Sequence, residues 1–115
     1  MTGGAAGRGP DMPATGHGET ILPPGLHAYR RTPDFTEATI PKALRKAHTT
    51  KDGTWGLIHV LEGRLAYRVT DPARPPRQTV LSAQQGPGVI EPMILHEVEP
   101  LGPVRFFVEF YRDAP

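Results

Sequence analysis

The chain has 115 residues, of which 37% are hydrophobic, and its formal net charge is +1 at pH 7. This length predicts one domain, and the near-zero charge argues against long-range attraction to nucleic acid. The chain has no cysteine, which excludes disulfides, zinc–thiolate sites and thiol catalysis. No apolar run reaches the roughly 18 residues that a membrane helix needs, and the N-terminus lacks the apolar core of a signal peptide. We therefore expect a soluble cytoplasmic protein without nucleic-acid or membrane partners.

The N-terminal stretch differs in composition from the rest of the chain. Seven of the 13 glycines lie in residues 1–25, which show no apolar periodicity. Such a stretch offers too little apolar surface to offset the conformational entropy that is lost on ordering. We predict a disordered tail over residues 1–25 and a folded domain over residues 26–115.

From residue 26 onward, apolar residues recur with the period of two that is typical of strands. The clearest run is the last, in which one face carries Val104, Phe106, Val108 and Phe110. Leu65–Val69 alternates in the same way, and the preceding Glu62-Gly63 dipeptide predicts a tight hairpin after a strand that begins at Trp55.

Further strands are predicted at residues 27–32, 43–48, 77–81, 87–91 and 95–100, separated by segments rich in proline and glycine. Many short strands at close spacing favour a sandwich or a closed barrel, and therefore an all-β fold. One helical turn is predicted at Thr36–Ile40, because Thr36 is a suitable N-cap and Pro41 disfavours a helical residue before it.

Three of the five histidines have a plain structural interpretation. His17 lies in the predicted tail, and His27 opens the first predicted strand without an acidic or histidine companion. His59 alternates with Ile58 and Val60, so it is expected on the outer face or in a wall of the barrel. None of the three is expected to bind a metal.

His48, Glu91 and His96 form the candidate metal site. His48 ends a predicted strand, and a hairpin between the strands of Glu91 and His96 can bring those two side chains to one side. Two imidazoles and a carboxylate are a minimal set that leaves open positions on zinc, iron, manganese or nickel. The alternative is that the histidines are strand-end residues and Glu91 is a surface acid, and the residues alone do not decide between the two.

Two segments resemble the two cupin motifs. Leu44–Gly63 (LRKAHTTKDGTWGLIHVLEG) resembles the first, in which a histidine-rich segment precedes a strand that ends in an apolar pair, an acidic residue and glycine. Gly86–Pro100 (GPGVIEPMILHEVEP) resembles the second, in which glycine and proline precede a metal-binding histidine. With residues 29–36 and 102–107, the chain is similar to the small cupin-like domain found alone, or fused to a methyltransferase, in bacterial tellurite-resistance proteins. The resemblance covers about residues 26–112.

The resemblance implies a cupin-type antiparallel jelly-roll barrel over residues 26–115, with the candidate site at its mouth, and it implies a homodimer. His48 and His96 match the metal histidines of the first and second motifs. Thr50 stands at the place of the second histidine, and the place of the motif's glutamate falls near Gly56, so two usual ligands are missing. Glu91 is not a usual cupin ligand; it is included because it is expected to lie close by and face inward.

Three functions remain open at this point. The first is a metal-binding domain that binds a small molecule or an oxyanion in a stress response such as tellurite resistance. The second is a metal-dependent enzyme in which the bound ion activates oxygen or water or polarises a substrate carbonyl. The third is a metal-free dimeric interaction domain. No glycine-rich loop joins a strand to a helix, so no site for S-adenosylmethionine is predicted.

Overall fold

The computed structural model describes residues 22–113 of the chain. Most of the predicted tail, residues 1–21, therefore lies outside the described residues, as do residues 114 and 115. The described elements are six strands and one short 3-10 helix: β1 (Leu26–Arg31), β2 (Phe35–Thr36), the 3-10 helix (Lys42–Arg45), β3 (Trp55–Val69), β4 (Arg77–Leu81), β5 (Gly88–Ile90) and β6 (His96–Asp113). This part of the chain contains no helix that is long and apolar enough to cross a membrane.

Two long antiparallel strands, β3 and β6, organise the sheet. They pair along their whole length, from Trp55 opposite Tyr111 to Val69 opposite His96. The strand order is β1-β6-β3-β4, with β2 paired to β6 and β5 paired to β3. The all-β prediction is confirmed. The described path of the sheet does not close on itself, so the jelly-roll barrel is not observed.

The predicted hairpin at Glu62-Gly63 is wrong. The chain continues through this dipeptide as one strand, and Gly63 pairs with Val104 of β6. The register shifts on either side of it, between Val60 and Glu62 and between Gly63 and Leu65, as at a β-bulge. Gly63 has a φ of +78°, a conformation that favours glycine at a bulge as much as at a turn. The sequence signal therefore marks a bulge in the strand and not its end.

The segment before β3 also differs from the prediction of a strand at residues 43–48. Lys42–Arg45 forms the 3-10 helix, which directly follows Pro41, a residue whose fixed φ suits a helix start. His48 alone of this segment makes a bridge, to His96. The predicted turn at Thr36–Ile40 is confirmed, since the Thr36 carbonyl accepts from the amides of Thr39 and Ile40 at 3.0 and 3.1 Å.

The core is built mainly from alternate residues of β3 and β6. The alternation in the last strand is confirmed, because Val104, Phe106 and Val108 are buried while the residues between them are partly exposed. Phe106 and Leu65 have no exposed surface. These residues pack in one cluster with further apolar side chains: Ile40, Ile58, Val60, Tyr67, Leu81, Ile90 and Val98.

Candidate functional site

His48 and His96 lie side by side at one end of the bent sheet. The backbone amide of each donates to the carbonyl oxygen of the other at 2.9 Å, so the bridge fixes the two residues directly opposite each other. Their imidazole rings are 4.1 Å apart between centroids and tilted by 58°. The sequence places these histidines 48 positions apart, and the fold brings them into contact.

The hydrogen bonds of the two rings determine which nitrogens remain available. His48 Nδ1 is 2.9 Å from the carbonyl oxygen of Lys46, and His96 Nδ1 is 2.9 Å from that of Ile94. Because a carbonyl oxygen can only accept, each Nδ1 must carry the hydrogen that it donates. In the neutral rings both Nε2 atoms are therefore hydrogen-bond acceptors or metal ligands, and neither is a donor.

His96 is the buried member of the pair. Its side chain is only 2% exposed, and its Nε2 is shielded from solvent without any hydrogen-bond partner. Burial lowers the pKa of His96 to about 4; the hydrogen bond to Ile94 opposes this shift and the neighbouring His48 adds to it. The ring is consequently neutral near pH 7. A buried acceptor without a partner costs about 1–3 kcal/mol, and functional sites are where such costs are retained.

The pair lines a cavity of about 400 Å³, within the size range typical of small-molecule sites. The cavity extends between β1, the segment before β3, and the inner faces of β3, β5 and β6. Its rim is formed in part by Arg30, Thr49 and Lys51, which are exposed. Its walls are mainly apolar: Phe35, Pro41, Leu44, Ile58, Ile90, Val98, Phe106, Val108 and Phe110. Apart from the rim residues, the polar groups of this largely apolar cavity are the two imidazoles and the hydroxyls of Tyr29, Thr32, Thr50 and Thr54.

Glu91 does not join the two histidines. Its Oε1 accepts from Arg74 Nε at 3.1 Å and from Arg74 Nη2 at 2.9 Å. It lines a second cavity of about 520 Å³, together with Tyr67 and Arg77. Glu91 directly follows β5, and Met93, two residues later, has a left-handed backbone with φ of 63°. The structure therefore turns this carboxylate toward the β3–β4 connection, and within residues 22–113 no group of three or more His, Cys, Asp or Glu side chains could hold a metal ion.

A family model described as the TehB-like domain matches residues 30–108, most of the described chain. The chain belongs to the TehB-like domain family. This confirms the resemblance to tellurite-resistance proteins that the sequence motifs indicate.

The TehB-like domain is also similar to individual proteins of the family. It is 31% identical over 77 residues to the protein named probable S-adenosyl-L-methionine-dependent methyltransferase TehB of Haemophilus influenzae strain Rd, covering 66% of this chain and 27% of that protein. The crystal structure of TehB from Haemophilus influenzae superposes with a TM-score of 0.72 at 26% identity, over 78% of this chain and 32% of that one. The chain thus spans about 27% of the length of the curated relative.

Two further solved structures share the fold alone. A protein from Escherichia coli K12 matches with a TM-score of 0.72 at 22% identity, covering 82% of this chain and 97% of that protein. Hydroxypropylphosphonic acid epoxidase from S. wedmorenis matches with a TM-score of 0.51 at 18% identity, covering 75% of this chain and 43% of the epoxidase.

The remaining histidines of the described TehB-like domain lie outside the cavity. His59 points to the outer face of β3, as its alternation with Ile58 and Val60 predicts. Its Nε2 is 3.1 Å from Glu109 Oε1, and its ring stacks on Phe107 with centroids 4.7 Å apart. His27 is exposed on β1. His17 lies outside the described residues.

Sequence reasoning missed one wall of the cavity of this TehB-like domain. The wall contributed by Pro41 and Leu44 belongs to a segment without strand periodicity. Tyr67 lines the second cavity, with Glu91, and its hydroxyl donates to the carbonyl oxygen of Val89 at 2.7 Å. Burial, assisted by the charge of Glu91, raises the pKa of Tyr67 to about 12.

Proposed function

We propose that this TehB-like domain binds a small molecule in the cavity above His48 and His96, as part of a stress response such as tellurite resistance. The observation that carries the proposal is the unpartnered Nε2 of His96, buried among the apolar side chains of a 400 Å³ cavity. A ligand or ion that engages the imidazole pair would relieve the cost of leaving this acceptor unpaired. Apolar walls with a few convergent polar groups are typical of small-molecule sites.

A metal-binding form is the second candidate. Metal-ligating histidines characteristically donate their other ring N–H to a carboxylate, a backbone carbonyl or water, and both His48 and His96 donate from Nδ1 to a carbonyl. The pair supplies two imidazole ligands for a divalent transition metal. Glu91 does not supply the third, because its carboxylate is bound to Arg74. Zinc, iron, manganese or nickel would then need water or the ligand itself to complete its coordination. Such an ion would act as a Lewis acid. The enzymatic role considered above requires that a metal ion is bound.

The cupin-type barrel belongs to the same proposal. The bridge between His48 and His96 draws the segment before β3 onto the start of β6, and the cavity lies behind it. We infer that this bridge completes a barrel at one end of the sheet, and that the ligand enters at that end.

The experiment that tests the proposal is metal analysis followed by ligand titration of protein purified without a histidine tag. If a metal occupies the pair, His96→Ala abolishes stoichiometric binding and His48→Ala weakens it severely. Glu91→Gln leaves binding unchanged, because the structure ties Glu91 to Arg74. His59→Ala is the matched control, since this ring lies on the outer face.

Two results would overturn the proposal. If neither metals nor small aromatic compounds change the methyl NMR signals of Ile58, Ile90 and Val108, the cavity is not a binding site. If the double variant lacking His48 and His96 retains full binding, the site lies elsewhere. For the role in tellurite resistance, cells that express the chain should tolerate potassium tellurite better than cells that express the double variant.

A further inference from the structure

The hydrogen bonds of the two imidazoles also restrict which polar groups a ligand can place against them. Both Nδ1–H groups are already committed to backbone carbonyls, at 2.9 Å each. Each neutral ring has one hydrogen and two nitrogens, so the remaining Nε2 of each can accept but cannot donate. The polar end of the cavity therefore presents two acceptors side by side.

The surroundings of the pair do not supply a compensating positive charge. The walls of the cavity are uncharged: the buried apolar side chains include Ile58, Val98 and Phe106, each no more than 4% exposed. The other polar groups of the walls are neutral hydroxyls, those of Thr32, Thr50 and Thr54 among them. The cationic side chains that line the cavity, Arg30 and Lys51, are exposed at its rim. An anion placed against the pair would lose its hydration and meet two lone pairs, which is unfavourable.

We propose that the cavity selects a neutral ligand with an apolar body and a hydrogen-bond donor, a hydroxyl or a thiol, that donates to Nε2 of His48, the accessible member of the pair. This inference rests on the proposed function, since it names the class of molecule that the cavity binds. It also restricts that function, because it excludes a bare oxyanion at the histidine pair. Aromatic side chains on the walls, among them Phe35, Phe106 and Phe110, suit a flat or ring-shaped apolar body.

His96 Nε2 is shielded from solvent, whereas His48 is half-buried. The ligand therefore meets His48 first. For this reason His48 is the residue to vary: its replacement removes an accessible acceptor and leaves the buried ring of His96 in place.

The test uses four probes of similar shape that differ in their polar group: phenol, anisole, benzoate and toluene. Phenol has a donor, anisole replaces that donor by a methyl ether, benzoate is an anion, and toluene has no polar group. The full chain, treated with a chelator, is titrated with each probe at neutral pH and followed by the methyl signals of Ile58, Ile90 and Val108. We expect phenol to bind about three- to tenfold more tightly than anisole, the net effect of one hydrogen bond, and benzoate to bind most weakly.

The variant His48→Phe keeps a ring of similar size and removes the acceptor. It should bring the phenol-to-anisole affinity ratio close to one while toluene binds as it does to the unmutated chain. The control His59→Phe, on the outer face, should leave the ratio unchanged. Retention of toluene binding shows in the same measurement that the His48 variant is folded.

The outcomes separate this inference from the proposed function. If the probes bind but benzoate is preferred, or phenol and anisole bind equally, the inference is wrong and the cavity remains a ligand site. If phenol binds to the chelator-treated protein only after zinc is added, the ligand contacts the histidines through a metal. The inference is then wrong, and the metal-binding form is supported. If none of the four probes binds, the inference is wrong, and if metals also fail to bind, the proposed function is wrong as well.

Discussion

His96 is the residue that points most directly to a binding function. A ring that is 2% exposed and holds an unpartnered nitrogen destabilises the folded domain relative to an apolar residue of the same shape. The apolar cluster of the core includes Ile58 and Val98. A leucine or phenylalanine in place of His96 could have extended this cluster. The proposed ligand binding would account for an imidazole at this point, which packing alone does not require.

The same residue makes the stability of the domain depend on pH. The pKa of His96 is about 4 in the folded chain, against a reference value of 6.5. As the pH falls below 6.5 the unfolded chain takes up this proton and the folded chain does not, so the free energy of unfolding decreases until the pH reaches about 4. The full loss from this one group is about 3 kcal/mol. Urea unfolding at a series of pH values should show the decrease, and His96→Leu should remove it.

Acidic groups provide the internal control for this measurement. The backbone amides of Leu95 and Ala73 lower the pKa of Asp71, and the amide of Val104 lowers that of Glu37. Their contributions are present above their normal pKa values and are lost only as the pH falls through the lowered ones. Destabilisation between pH 6 and about 4.5 that persists in His96→Leu would therefore contradict the assignment to His96.

At the level of strands and turns, β3 shows which features a local sequence pattern can predict and which it cannot. Alternation in Leu65–Val69 and in the last strand is a local property, so the sequence correctly predicts extended structure in both segments. It does not predict that each is part of a longer strand, β3 over Trp55–Val69 and β6 over His96–Asp113. The glycine at position 63 is ambiguous by the same local reasoning, since a positive φ serves a hairpin turn or a bulge. Only the pairing of Gly63 with Val104 across the sheet, a contact distant in sequence, decides between them.

Gly63 and Gly53 form a matched pair that tests the bulge. Both have a φ of +78°, but a Cβ at Gly53 meets nothing within 4 Å, whereas one at Gly63 would overlap the carbonyl oxygen of Pro103. Gly53→Ala should cost about 1 kcal/mol of unfolding free energy for its backbone conformation alone. Gly63→Ala should cost on the order of 3 kcal/mol, because β3 and β6 must also move apart. Equal losses in chemical denaturation would show that the two strands are not packed closely at the bulge.

At the level of the whole molecule, the sequence predicts that His48 and His96 come together but not that Glu91 lies apart from them, bound to Arg74. His48 and His96 were identifiable because each matches a motif and each lies at a strand end. Glu91 was assigned by its distance from His96 along the chain and by strand alternation. The turn at Met93 and the competing guanidinium of Arg74 are not visible in that pattern. The cavity itself depends on where β1 and the 3-10 helix pack, which periodicity does not specify.

The division of the chain into a tail and a domain leads to the last prediction. Residues 1–18 are rich in glycine and poor in apolar side chains, so their deletion should leave the melting temperature within a few degrees of the full chain. A longer deletion of residues 1–31 is the control, because it removes β1, which pairs with β6 from Leu26 opposite Asp113 to Arg31 opposite Glu109. It also removes the wall of the cavity formed by Tyr29 and Arg30. The control should lower the melting temperature strongly and abolish phenol binding. If the short deletion does either of these, the tail packs on the domain and the boundary lies further toward the N-terminus.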